Sequence, residues 1–294
     1  MANSQSERAS KPRVVRLGGR EIVTEGQDLS FWADISHRCM TASWPAFIGG
    51  AAAVFIAFNA VFALFYWIGD QPVSNVPGGA YIDYLYFSIE TLSTAGYGDM
   101  HPQTHYGHFI AAVELFTGIF SMSLMTGLIF ARFSRPNARL LFADNPVISN
   151  HEGSPTLMVR FANERHNIIG NATARLWLFK NIVSQEGQSL RRFYELPLMR
   201  NESPALALTW TLYHAIDEAS PLYGMNPDDL AATSVSLVVV VSGYDVVAAQ
   251  TVHARKPYDH PDIRFGQRYA DIIDTTEDGR LRIDYGRFHE TVSG

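Results

Sequence analysis

Thr94-Ala95-Gly96-Tyr97-Gly98-Asp99 lies between the only two long hydrophobic spans of the chain, and its reading decides the fold. Consecutive carbonyl oxygens that point one way require alternating backbone conformations, which glycine adopts without a Cβ clash. Gly96 and Gly98 supply that freedom. A row of carbonyls can replace the hydration shell of a cation, so the stretch reads as an ion filter. One loop cannot surround an ion, whereas four copies about an axis can, and a homotetramer is expected.

Residues 81–92, just before the filter, make about three turns of helix, too short to cross a bilayer. This is the pattern of a re-entrant pore helix. Irregular backbone at membrane depth is tolerated only where protein or a water-filled cavity satisfies it, as in a helix–filter hairpin. The C-terminal end of the helix dipole, roughly half an elementary charge, then favours a cation beside the filter. Glu90 within this helix and Asp99 after the filter have no Lys or Arg nearby. Both are expected to support the filter, with Glu90 bonding to its backbone amides or to a neighbouring subunit. His101 and His105 read as surface residues of the outer mouth.

Further out, residues 46–69 carry no charge and one clearly polar side chain, Asn59. A hydrocarbon core of roughly 30 Å needs about 20 apolar residues, so this stretch spans it. The second span, about 106–130, holds one charge, Glu114, which should face protein or water and not lipid. Gly118 near its middle permits either a bend or close helix packing. With this span lining a cavity, Met122 and Phe130 face the ion path, and Phe130 rings form a hydrophobic gate. All 23 Lys and Arg residues fall before residue 39 or after 131, which places both termini in the cytoplasm and the intervening loop outside.

Residues 1–27 have the polar, basic composition of a flexible arm. Across 28–44, Leu29, Phe31, Trp32, Ile35, Cys39 and Met40 share one helical face, which fits either an interfacial slide helix or a helix packed on a soluble domain. Pro45 marks the bend before the first span. The single Cys39 excludes an intramolecular disulfide. Arg132, Arg135 and Arg139 emerge where the second span ends. Each attracts anionic headgroups by about 1 kcal/mol, although ordinary positive-inside topology explains them equally well.

Residues 136–146 form a linker after Pro136, and from 147 to 294 the period changes from helical to alternating. Stretches 156–161, 172–179, 206–212, 235–241 and 246–252 read as strands of an antiparallel β-sandwich, with a short helix at 227–232. No G-x-G-x-x-G follows a strand, and neither G-x-S-x-G nor H-E-x-x-H occurs. Nucleotide-binding Rossmann and hydrolase readings are therefore unsupported, and no enzyme activity is expected.

The filter, Phe130-Ala-Arg-Phe-Ser-Arg-Pro136 and the β-rich half together resemble the prokaryotic inward-rectifier potassium channels, the KirBac family. Ser184-Gln-Glu-Gly187, His214-Ala-Ile-Asp217, Ser220-Pro-Leu-Tyr-Gly224 and His253-Ala-Arg255 carry the resemblance further. It implies a bacterial inner-membrane homotetramer: a two-span pore domain over 45–135, a slide helix, and a cytoplasmic all-β immunoglobulin-like sandwich. It implies K+ as the permeant ion, held by carbonyls of Thr94, Ala95, Gly96 and Tyr97. Phe130 falls at a gate, Gly118 at a hinge, and the loop around His253, Ala254 and Arg255 near a second constriction. Arg132, Arg135 and Arg139 fall where the family contacts anionic phospholipid. Strong rectifiers carry an acid where Met122 stands, so weak block by polyamines or magnesium is implied. No cofactor and no nucleic-acid partner are expected. Ala95 replaces the valine of the signature TVGYG. That departure keeps open a less selective cation channel, beside a non-conducting membrane-anchored sensor or scaffold.

Overall fold

The protein is described by a computed structural model over residues 13–17, 20–24, 35–136, 138–165 and 167–294. The contacts divide it into two compact units, Asp28–Arg135 and a second that joins Met1–Gln27 to Pro136–Gly294. Within the stretch expected to be a flexible arm, strands β1 (Arg13–Leu17) and β2 (Arg20–Thr24) pair antiparallel. Their β-branched residues Val14, Val15, Ile22 and Val23 favour an extended chain. The remainder of that arm, and residues 28–34 of the expected slide helix 28–44, lie outside the described residues.

In the first unit, α1 (Ile35–Thr41) is followed at once by α2 (Trp44–Ile68). The Ser43 side chain accepts from the Ala46 amide at 3.4 Å, and Pro45 occupies the first turn of α2, where a missing N–H removes no helix bond. A short ribbon then pairs β3 (Val73–Ser74) with β4 (His101–Pro102), closing the outer loop around α3 (Tyr81–Leu92) and the filter. The Asp83 carboxylate accepts from the Ala80 amide at 3.0 Å and caps the start of α3. Last comes α4 (His105–Phe133). Both α2 and α4 are long and apolar enough to cross a membrane.

α2 and α3 meet around Phe62, Ala63, Tyr66, Tyr84, Phe87 and Leu92, with Val73 of β3, and Ile110 of α4 packs against them. Two glycines set how closely α4 approaches. A Cβ at Gly107 would stand 2.2 Å from the carbonyl oxygen of Pro72, and one at Gly118 would stand 2.2 Å from that of Leu92. Of the two roles open to Gly118, close packing against the end of α3 is the one present here, and α4 runs unbroken through it.

In the second unit, one sheet has the order β10-β8-β12-β13, with β9 beside β8. These strands are β8 (Ile169–Val183), β9 (Ser189–Leu196), β10 (Glu202–Leu206), β12 (Ser236–Asp245) and β13 (Gln250–Asp259). The facing sheet runs β11-β7-β6-β14, with β5 on β7. Its strands are β5 (Leu140–Phe142), β6 (Val147–His151), β7 (Ser154–Asn163), β11 (Thr209–Ala215) and β14 (Arg264–Phe265). The core between them includes Leu157, Val159 and Phe161 from one sheet and Leu176, Leu178, Leu237 and Val239 from the other. Along β8 and β12 burial alternates and fixes register, since a slip by one residue would expose the apolar face, whereas β7 is buried on both faces from Thr156 to Asn163.

Four sequence expectations change. Residues 140–142 of the expected linker 136–146 are strand β5, paired antiparallel with β7. β14 pairs parallel with β6, so the sandwich is not wholly antiparallel. The expected strand 206–212 is two strands in opposite sheets, separated at Ala207 and Leu208. Val246 leads a hairpin turn instead of a strand, because the Asp245 carboxylate accepts from the amides of Val247 and Ala248 at 2.9 and 3.0 Å. The short helix at 227–232 is present as α5 (Pro227–Ala232).

Candidate functional site: the filter loop and its supports

Every second residue from 94 to 98 occupies the left-handed region: Thr94 at φ 61°, Gly96 at 53° and Gly98 at 86°. Alternation of backbone hand turns successive carbonyls toward a common side, which is what a carbonyl-lined filter requires. Thr94 was not anticipated. A β-branched residue at positive φ carries strain of about 1–3 kcal/mol, and the surrounding bonds hold it there.

Those bonds come from the end of α3. Thr94 N–H donates to Thr91 O at 3.0 Å, while the amides of Ala95 and Gly96 both donate to Glu90 O at 2.9 and 3.3 Å. Within one chain the main-chain carbonyl of Glu90, not its carboxylate, holds the filter amides. The Glu90 side chain is half-buried and Asp99 is exposed. The Asp99 carbonyl accepts from Asn75 Nδ2 at 2.8 Å, linking the far end of the filter to the outer loop. Tyr97 is 79% exposed, so a single chain leaves the flank of the filter uncovered.

Below the filter an apolar groove of about 590 Å³ is bordered by Ala51, Phe55, Leu92, Ser93, Gly118 and Met122. Met122 and Phe130 are exposed on α4, eight residues apart and thus on one broad stripe of the helix. Gly118 is buried against α3. Glu114, the one charge of this span, faces protein: it is fully buried and bonded to Tyr66 and Ser88. Its partners are Tyr66 on α2 and Ser88 on α3, and Ser88 also meets Asn59 on α2. Contacts between separate helices leave no sign in the spacing along the chain.

At the other end of α4, Arg132 donates to the carbonyls of Cys39 and Ala42, the latter at 2.8 Å, and Arg135 donates to that of Met40 at 2.7 Å. The Arg132 guanidinium also lies 4.6 Å from the ring centroids of both Trp44 and Phe47. These two arginines cap the carbonyl end of α1. Arg139 belongs to the other unit, where it meets Glu164 at 3.6 Å. His253, Ala254 and Arg255 stand inside strand β13, opposite Ser242, Val241 and Val240, and not in a loop. The loop of that hairpin is formed by residues 246–249, with Val246 and Val247 exposed. Among the described residues, no three His, Cys, Asp or Glu side chains gather as a metal site.

Comparison with known proteins bears on both units. A family profile described as "Inward rectifier potassium channel C-terminal domain" matches residues 140–293, and one described as "Ion channel" matches residues 52–135. The chain is 37% identical over 284 residues to the inward rectifier potassium channel Kirbac3.1 of Paramagnetospirillum magnetotacticum, covering 96% of each. It is 30% identical to the human inward rectifier potassium channel 4, over 89% of this chain and 67% of that protein. With the human ATP-sensitive inward rectifier potassium channel 12 it shares 28% identity over 89% of this chain and 65% of that protein.

Proposed function

The chain belongs to the inward-rectifier potassium channel family, and we propose that it passes K+ down its gradient through a filter built from residues 94–98 of four copies. The observation that carries this reading is the alternation of left-handed residues at Thr94, Gly96 and Gly98, directly after a short helix set between two spans. In the proposed tetramer the carbonyls of Thr94, Ala95, Gly96 and Tyr97 replace K+ hydration, with Glu90 and Asp99 supporting the two ends of the loop. The exposed stripe of Met122 and Phe130 lines the inner cavity, and four Phe130 rings close it by excluding water. The protein sits in the bacterial inner membrane with both termini in the cytoplasm, following the absence of Lys and Arg from 39–131.

Anionic phospholipid modulates the gate on this reading. The arginines that attract a headgroup, Arg132 and Arg135, are the ones that cap α1. A phosphate that competes for them loosens α1 from the end of α4. Ala95 motivates a second reading, a cation channel of lower selectivity, because its small side chain offers less packing than valine behind the carbonyls.

Ion flux in liposomes holding the purified full chain separates these readings. K+ efflux that outruns Na+ efflux under matched gradients is expected. Equal fluxes of the two ions would remove the potassium reading, and no flux of either would remove conduction.

A further inference from the structure

Helices α2, α3 and α4 meet at a buried polar cluster that a carbonyl filter does not itself require. Asn59, Tyr66, Ser88 and Glu114 are each 0–1% exposed. No Lys or Arg occurs between residues 39 and 131 to neutralise the carboxyl group.

The geometry fixes the proton count. Tyr66 donates its hydroxyl proton to Glu114 Oε2 at 2.7 Å. Asn59 Nδ2 donates to Phe55 O at 2.7 Å, which turns Asn59 Oδ1, an acceptor only, toward Ser88 Oγ at 3.1 Å. Ser88 Oγ in turn lies 2.5 Å from Glu114 Oε1. A serine hydroxyl has one proton and can serve only one of these two acceptors. With Glu114 ionised, either Asn59 Oδ1 or Glu114 Oε1 lacks a donor in a site closed to water, and the charge has no cation. One more proton, on Oε1, resolves both. Glu114 then donates to Ser88, Ser88 to Asn59, and Tyr66 to Glu114, so that each contact contains one proton and the chain of bonds runs in one direction.

We propose that Glu114 is held as a neutral carboxylic acid and acts as a positioning residue, tying pore helix α3 to both spans and thereby fixing the filter. Ser88 lies two residues before Glu90, whose carbonyl accepts from the Ala95 and Gly96 amides. A displacement at Ser88 is therefore passed to the filter backbone. Only the flux readout of this proposal rests on the conduction reading.

The substitution Glu114→Gln mimics the acid and not the carboxylate: its amide N–H replaces the proton toward Ser88, and its carbonyl still accepts from Tyr66. Infrared spectra of the purified full chain at neutral pH should show a protonated-carboxyl C=O stretch that Glu114→Gln removes. In liposomes, Glu114→Gln should keep the K+-to-Na+ flux ratio within about twofold, while Ser88→Ala and Glu114→Ala should lower it by about tenfold or more, as expected for losing a buried partner. No carboxyl band lost on Glu114→Gln would overturn the proposal, as would a Gln variant that forfeits selectivity or a Ser88→Ala variant that retains it. If the unsubstituted chain conducts nothing, the conduction reading fails and the infrared comparison still decides the state of Glu114.

Discussion

His214 links a single side chain to the pH response of the β-sandwich unit. Its Nδ1 lies 2.7 Å from Pro197 O and must donate there, which leaves Nε2 to accept from Ser220 Oγ at 2.8 Å. The neutral ring is thus fully bonded. Burial lowers the His214 pKa from its ordinary value, against smaller upward influences from the Pro197 carbonyl and Asp217. A folded pKa below the unfolded one means that the unfolded chain takes up the proton first. The stability supplied by neutral His214 is therefore complete above about pH 6.5 and is lost as pH falls below it. Thermal unfolding of the full chain should show the β transition moving to lower temperature on acidification, and His214→Gln should flatten that dependence. An equal slope in the two proteins would remove His214 as the cause. At this scale the sequence was readable where one residue type is sufficient for the chemistry. Gly96 and Gly98 marked a loop of alternating backbone hand, and the lone charge at Glu114 had to find protein or water. It was silent where the property belongs to a set of contacts. Neither the left-handed Thr94 nor the meeting of Asn59, Tyr66, Ser88 and Glu114 follows from any spacing along the chain.

Among the elements, α1 depends most on a neighbour. At seven residues it is too short to be stable on propensity alone. The carbonyls of Cys39, Met40 and Ala42 receive Arg132 and Arg135 from α4 and its end, and Arg132 is flanked by the rings of Trp44 and Phe47. Cations at a helix C-terminus also complement its dipole. Replacement of Arg132 by Ala should release α1 by about 2 kcal/mol, the scale of a lost charge-assisted hydrogen bond. Amide hydrogen exchange across residues 35–42 of the full chain should then be faster by more than tenfold. Arg132→Lys should recover only part of the protection, since an ammonium cannot form the same fork or stack between two rings. Unchanged exchange in Arg132→Ala would show that α1 is held by other contacts. Element boundaries had been legible where a period was long and uninterrupted: α2, α3 and α4 fall close to the expected 46–69, 81–92 and 106–130. They were not legible where a two-residue turn hides in an apolar run, as at Ala207 and Leu208. The parallel pairing of β14 with β6 is likewise a long-range event, made by two residues with no local periodicity to announce it.

For the whole molecule, the unfinished surface of the single chain argues for further copies. The filter residues 94–98 are all exposed, as are Met122 and Phe130, and the faces of Gly49 and Gly50 are open. Lipid can cover the outward side of the spans, but a row of filter carbonyls directed at lipid would lose the hydrogen bonds of water and gain none. In the proposed tetramer, three more filters around the same axis would supply the missing ion ligands, so the filter would be a shared element and each subunit able to spoil it. Gly98 offers the substitution for a test. Its φ of 86° is one that a β-branched residue does not readily adopt, so Gly98→Val should disrupt the carbonyl row while leaving the helices outside it in place. Coexpression of the unsubstituted and Gly98→Val chains in equal amounts gives, by random assembly into fourfold rings, about one-sixteenth of channels free of the substitution. Potassium flux per unit of assembled protein should fall to about that fraction, well below one half. A fall to only half would mean that each chain conducts on its own, and a fall to a quarter would mean that two chains complete the filter.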